Sequence, residues 1–230
     1  MTLATPSTID PSTISAITFD CYGTLIDWEA GVRNYVTPIL ALSSQRDITA
    51  AQWVERWERI QFQMLRPYRP YREILQRSYD ATMQYFGIEA FVDAGAGLAR
   101  SIAEWTPFAD TRRALRRLAK RYRLAIVSNI DNDLLADSVG QLQAPFSCLV
   151  TAEDARAYKP DPKPLQLAIE RLAVAPGAIV HAAFGWKYDL APARALGMRA
   201  CFVNRGGVTV DEPRDLEVPS LDALADALGT

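Results

Sequence analysis

Ile14-Ser15-Ala16-Ile17-Thr18-Phe19-Asp20-Cys21-Tyr22-Gly23-Thr24-Leu25 is the stretch that decides the fold. An apolar, β-branched run ends abruptly at a carboxylate, and a glycine and a hydroxyl follow. This reads as a strand delivering Asp20 to its carboxyl end, where open α/β sheets place their ligands. An acid at that edge is a candidate nucleophile, with a helix-capping loop acid as the plainer reading.

After Asp27 and Trp28 come about 75 residues with helical spacing and almost no β-branched runs. Residues 50–66 set Trp53, Trp57, Ile60, Met64 and Leu65 at helical intervals, residues 71–86 do the same, and a third helix is expected over 92–104. From Pro107 the pattern alternates. Helices are expected over 110–120, 132–142, 162–172 and 190–196, and strands over 124–127, 148–151, 178–183 and 199–203. Apolar strands joined by helices imply parallel βαβ units covered on both faces. The expectation is an α/β fold: a doubly wound, Rossmann-like parallel sheet formed by residues 1–28 and 106–230, interrupted by a helical cap at 29–105. Residues 2–12 read as a loose polar lead-in.

The charge balance narrows the partners. Twenty-five basic and 27 acidic residues give a net charge of −2, so no basic field suggests nucleic acid or an anionic membrane. No uncharged apolar run reaches the roughly 18 residues of a membrane span, and no signal segment opens the chain, so the expectation is cytoplasmic. Cys21, Cys148 and Cys201 are widely spaced in or beside apolar runs, which suits buried thiols rather than a disulfide or zinc site. The only histidine, His181, falls inside an expected strand as a packed or edge residue. That removes histidine-based triads.

Three further groups sit where strands end: Ser128-Asn129, Lys159 in Tyr158-Lys159-Pro160-Asp161-Pro162, and Asp189 in Phe184-Gly185-Trp186-Lys187-Tyr188-Asp189. Ser128 and Asp189 also read as helix N-caps, and a lone lysine as a surface charge. Together with Phe19 to Leu25, however, these segments resemble the four motifs of the haloacid dehalogenase superfamily. Tyr22 points to its type II 2-haloacid dehalogenase branch, because the superfamily's phosphatases usually have a second Asp there.

The resemblance implies a hydrolase that releases halide from small 2-haloalkanoic acids through an aspartyl ester. Asp20 attacks, Thr24 orients it, Lys159 balances the charge and Asp189 activates water. Tyr22, Ser128, Asn129 and Trp186 face the substrate, and Arg56 on the first cap helix receives the halide. Arg56 reads equally as a surface charge paired with Glu55 or Glu58. No cofactor is implied; Mg²⁺ enters only in the alternative of a phosphohydrolase working through an aspartyl phosphate. The fourth motif departs from the family pattern, since Phe184, Gly185 and Trp186 offer no side-chain oxygen. A weakly active or non-catalytic anion-binding protein is the further alternative. The expected partner is a small anionic substrate, and the resemblance implies a homodimer.

Overall fold

The computed structural model describes residues 9–43, 47–89, 91 and 93–230. The polar lead-in up to residue 8 and the expected helix start at Val92 lie outside the described residues. Strand β1 (Ala16–Phe19) is followed by four helices, α1 (Trp28–Leu42), α2 (Ala50–Gln63), α3 (Tyr71–Tyr85) and α4 (Ala94–Ser101). Helix α5 (Thr111–Leu118) then opens the alternating part: β2 (Arg123–Ser128), α6 (Asn132–Leu142), β3 (Phe146–Thr151), α7 (Ala152–Ala155), α8 (Lys163–Leu172), β4 (Ile179–Ala183), α9 (Ala191–Ala195), β5 (Arg199–Val203), β6 (Leu216–Val218) and α10 (Leu221–Ala227).

The six strands form one parallel sheet in the order β3-β2-β1-β4-β5-β6. The chain winds outward from β1 to β3 on one side, then returns to β4 on the other. The order therefore reverses between β1 and β4, and a crevice opens beyond their carboxyl ends. Phe19 pairs with both Ile126 and Ala182, so the ends of β1, β2 and β4 lie side by side. Every residue of β1 and β4 is buried, as strands covered on both faces require.

The alternating part follows the sequence reading to within two residues at most ends. Strand β1 begins at Ala16 rather than Ile14; Ile14 is in the core, but the ladder starts beyond it. Strands β2 and β3 begin one and two residues earlier than expected. Helix α9 is preceded by a π-turn, Trp186–Leu190, which delays its start to Ala191.

The helices between β1 and α5 pack on one another around Trp53, Trp57 and Tyr79, all buried. Helix α2 starts at a capping box, in which Thr49 and Gln52 exchange side-chain and backbone hydrogen bonds. Helix α3 starts at Pro70 with no cap of its own. Asp131, from the loop after β2, fills the gap: its Oδ1 accepts the Tyr71 N–H at 2.8 Å and its Oδ2 the Arg72 N–H at 2.9 Å. A core residue thus caps a helix of the inserted group.

Candidate active site

Three ionisable groups meet beyond the ends of β1 and β4. Lys159 Nζ donates to Asp20 Oδ1 at 2.8 Å, to Asp189 Oδ1 at 2.5 Å and to the Val127 carbonyl at 2.8 Å. All three side chains are at least nine-tenths buried. One ammonium held by two carboxylates leaves a net negative charge in a low-dielectric setting, and the titrations reflect it. Burial pushes the Asp20 carboxyl above its ordinary value against the pull of Lys159. Burial opposes the charge of Asp189 too, but Lys159 and His181 hold that carboxyl below its ordinary value. Burial also works against the Lys159 charge, yet Asp189 and Asp20 keep its ammonium well above the usual lysine value.

Thr24 ties the first and fourth motifs together. Its hydroxyl donates to Asp20 Oδ2 at 3.1 Å and accepts the Phe184 N–H at 3.2 Å. With Lys159 on the other oxygen, both oxygens of Asp20 are fixed in direction. Gly23 sits at φ +99°, and a Cβ there would fall 2.4 Å from the Phe184 ring, so the turn after Asp20 admits no side chain.

Asn129 lines the cavity beside Ser128, and its amide also holds the lysine. Its Oδ1 accepts the Lys159 N–H at 2.7 Å and its Nδ2 donates to the Lys159 carbonyl at 3.1 Å. The amide grips the backbone that presents Lys159. The Ser128 hydroxyl is buried, lines the cavity and makes no hydrogen bond among the described residues. Tyr22 also lines it, with its hydroxyl on Ser138 Oγ at 2.9 Å and its ring edge-on to Trp105.

His181 is fully buried beneath the site, in register with Thr18. Its Nδ1 lies 2.9 Å from the Thr18 hydroxyl and its Nε2 3.4 Å from Asp189 Oδ1. It is packed, as expected, but it also abuts an acid of the site. The signal was available: Thr18 and His181 occupy matching positions of two strands that the fold class makes neighbours. Asp189 Oδ2 has no hydrogen-bond partner among the described residues, and a Cβ on Gly185 would lie 2.7 Å from it. The bare Gly185 leaves that oxygen room.

These groups form one wall of a cavity of about 330 Å³. Trp28, Trp57 and Phe62 line the opposite side from α1 and α2, and Trp186 and Tyr188 enter from the π-turn. Arg56 is not among the lining residues. Consecutive helical residues point about 100° apart, so with Trp57 turned inward Arg56 is carried onto α3. There its guanidinium lies 3.8 Å from the centre of the Tyr85 ring and donates to the Tyr85 hydroxyl at 2.6 Å. Among the described residues no group of three His, Cys, Asp or Glu side chains has metal-holding geometry.

A buried acid, lysine and acid at the switch point of a doubly wound sheet define a hydrolase with a carboxylate centre. The chain belongs to the haloacid dehalogenase-like hydrolase family, whose sequence profile matches residues 14–209. It is similar to haloacetate dehalogenase H-2 of Moraxella sp. (strain B), at 29% identity over 225 residues, covering 92% of this chain and 96% of that one. It is also similar to the (S)-2-haloacid dehalogenase of Pseudomonas sp. (strain YL), at 27% identity over 94% of this chain and 95% of that protein. The L-2-haloacid dehalogenase structure from Xanthobacter autotrophicus shares the fold, with a TM-score of 0.79 at 21% identity, covering 93% of this chain and 97% of that one.

Proposed function

We propose that this protein hydrolyses the carbon–halogen bond of 2-haloalkanoic acids, with the helices α1 to α4 acting as a cap over the core. The observation that carries the reading is the double tether of Asp20. Thr24 and Lys159 hold its two oxygens on the wall of a largely aromatic cavity. A carboxylate so fixed and partly desolvated is a competent nucleophile toward an sp³ carbon. Its relatives supply the substrate class: their names assign haloacetate and (S)-2-haloacids to them.

Asp20 attacks C2 in line, the C2–halogen bond breaks with inversion, and halide leaves with the bonding pair. The substrate carboxylate rests on the Ser128 hydroxyl and the backbone after Asp20, with Lys187 at the rim drawing anions inward. Arg56 stands too far from the cavity wall for the halide. The departing anion leaves instead along the aromatic wall that includes Trp105. Water then attacks the ester carbonyl carbon of Asp20. Asp189 takes the proton through its unengaged Oδ2, while Lys159 and His181 hold Oδ1. Asp189 returns that proton to the departing C2 oxygen, the 2-hydroxy acid leaves, and the second proton of the water passes to solvent as Asp20 returns to carboxylate.

Tyr22 and Phe184 weigh against phosphoryl transfer. They stand where that chemistry needs carboxylate oxygens for Mg²⁺ and for proton donation. The test is halide release from short 2-haloacids without added metal, followed by turnover in H₂¹⁸O and mass analysis of the Asp20 peptide. Halide release with heavy oxygen on Asp20 supports the scheme. Heavy oxygen only in the product, or full activity in Asp20→Asn, rejects it.

A further inference from the structure

Across the cavity from the reacting groups lies a carboxylate that this reaction does not use. Glu58 lines the cavity from α2, directly after Trp57. Its helical neighbours have partners: Arg59 pairs with Glu55 at 2.7 Å, and Arg56 lies on Tyr85. Glu58 itself joins no ion pair and accepts no hydrogen bond among the described residues. Burial, with Glu29 and Glu55 adding repulsion against the pull of Arg59, raises its carboxyl above the ordinary value. An anion in that condition is relieved by an incoming positive charge.

Its surroundings suit one. Trp57 faces Trp28 with ring centres 6.0 Å apart, and Phe62, one turn beyond Glu58, stacks on Tyr188 at 4.6 Å. Glu58 is among the acids whose charge, after burial, pushes the Tyr71 and Tyr188 phenols up, which places all three within electrostatic reach. A carboxylate in a largely aromatic cavity is a setting that suits an ammonium group. The charges agree. Asp20, Glu58 and Asp189 face only Lys159 and Lys187 on the cavity wall, so the lining is already negative before an anionic acid enters. Size agrees as well. At about 30 Å³ per water-sized group, 330 Å³ holds about eleven, and a three-carbon haloacid fills about half of that.

Resting on the haloacid reading, we infer that the substrate of this site is a 2-haloacid whose apolar side chain ends in a cation, seated among the cap aromatics against Glu58. The carboxylate end then rests on Ser128 and the backbone after Asp20 and the cationic end faces Glu58, so the bound zwitterion adds no net negative charge to an already negative wall.

The experiment compares halide release from 2-chloro acids ending in a trimethylammonio group after two to four methylenes with release from their tert-butyl isosteres. The members of each pair share shape and differ in charge. 2-Chloropropionate is the small reference, and each is run with the wild type and Glu58→Gln. The expected result is that at least one cationic acid exceeds its isostere by about tenfold in kcat/KM, and that Glu58→Gln reduces that ratio to near one. Equal rates within every pair, or a cationic preference that survives Glu58→Gln, overturn the inference while halide release from 2-chloropropionate leaves the haloacid reading standing. Halide release from none of the acids removes both.

Discussion

Replacing Asp131 by alanine tests whether α3 is held to the loop after β2 through one side chain. Asp131 lies on the core loop after β2, is 5% exposed, and accepts the N–H groups of Tyr71 and Arg72 at the uncapped start of α3. A hydrogen bond to a charged group contributes about 1.5–3 kcal/mol, and loss of a helix N-cap costs about 0.5–2 kcal/mol. The two bonds share one carboxylate and water partly replaces them, so the expected loss is about 2–3 kcal/mol rather than the sum. In urea, with a slope of about 2–3 kcal/mol/M, the midpoint falls by about 1 M. Asp131→Asn keeps one acceptor oxygen and loses about half as much. Hydrogen exchange locates the damage, with protection falling at the first amides of α3 while the amides of β2 and β4 keep theirs. Catalytic efficiency falls too, because Tyr71, which lines the cavity, stands at that helix start. Stability within 0.5 kcal/mol of wild type, with α3 amides still protected, would show that the latch contributes nothing.

Four other outcomes follow from the site. The acid limb of kcat/KM is expected above the ordinary carboxylate range, because burial raises Asp20 and the attacking form exists only above that raised value. Asp189→Asn removes a negative neighbour that also raises Asp20, so the limb of the first-turnover halide burst moves to lower pH; an upward move contradicts the coupling. Gly185→Ala pushes a methyl group against Asp189 Oδ2, and is expected to slow ester hydrolysis by about tenfold or more with little effect on the burst. Equal slowing of both steps counts against a role for that oxygen in the second. Arg56→Ala is expected to change halide release by less than about twofold, since the guanidinium rests on Tyr85; a large drop in kcat would return it to the reaction.

The main sheet was legible because its strands are continuous apolar runs bounded by helical periods, a signal that needs no tertiary knowledge. Asp20, Lys159 and Asp189 were legible for a related reason. Strand ends in a parallel sheet share one edge, so groups 139 positions apart in sequence come within 2.8 Å. Arg56 was misplaced because helical spacing gives relative directions only, and the sequence does not show which face of α2 turns to the core. The grip of Asn129 on Lys159 was not legible, because nothing local reveals that its amide spans that backbone. The role of Asp131 was invisible for the same reason: it caps a helix 60 positions away. Strand β6 has three residues in a charged stretch and gave no period. Helix α10 was missed as well, although Leu221, Leu224, Ala225 and Leu228, buried behind the N-cap Ser220, keep a helical period.

The backbone N–H of Asp20 donates to the Ala182 carbonyl at 3.1 Å, so Asp20 leaves the β1–β4 ladder directly, while Asp189 reaches it from the π-turn after β4 through Lys159. Asp20 is thereby set by the central strands of the sheet, whereas the wall opposite is built from side chains on α1 and α2. Descendants of this sequence are therefore free to trade residues such as Trp57, Glu58 and Phe62 and acquire new tastes in acids while inheriting the same reaction unchanged.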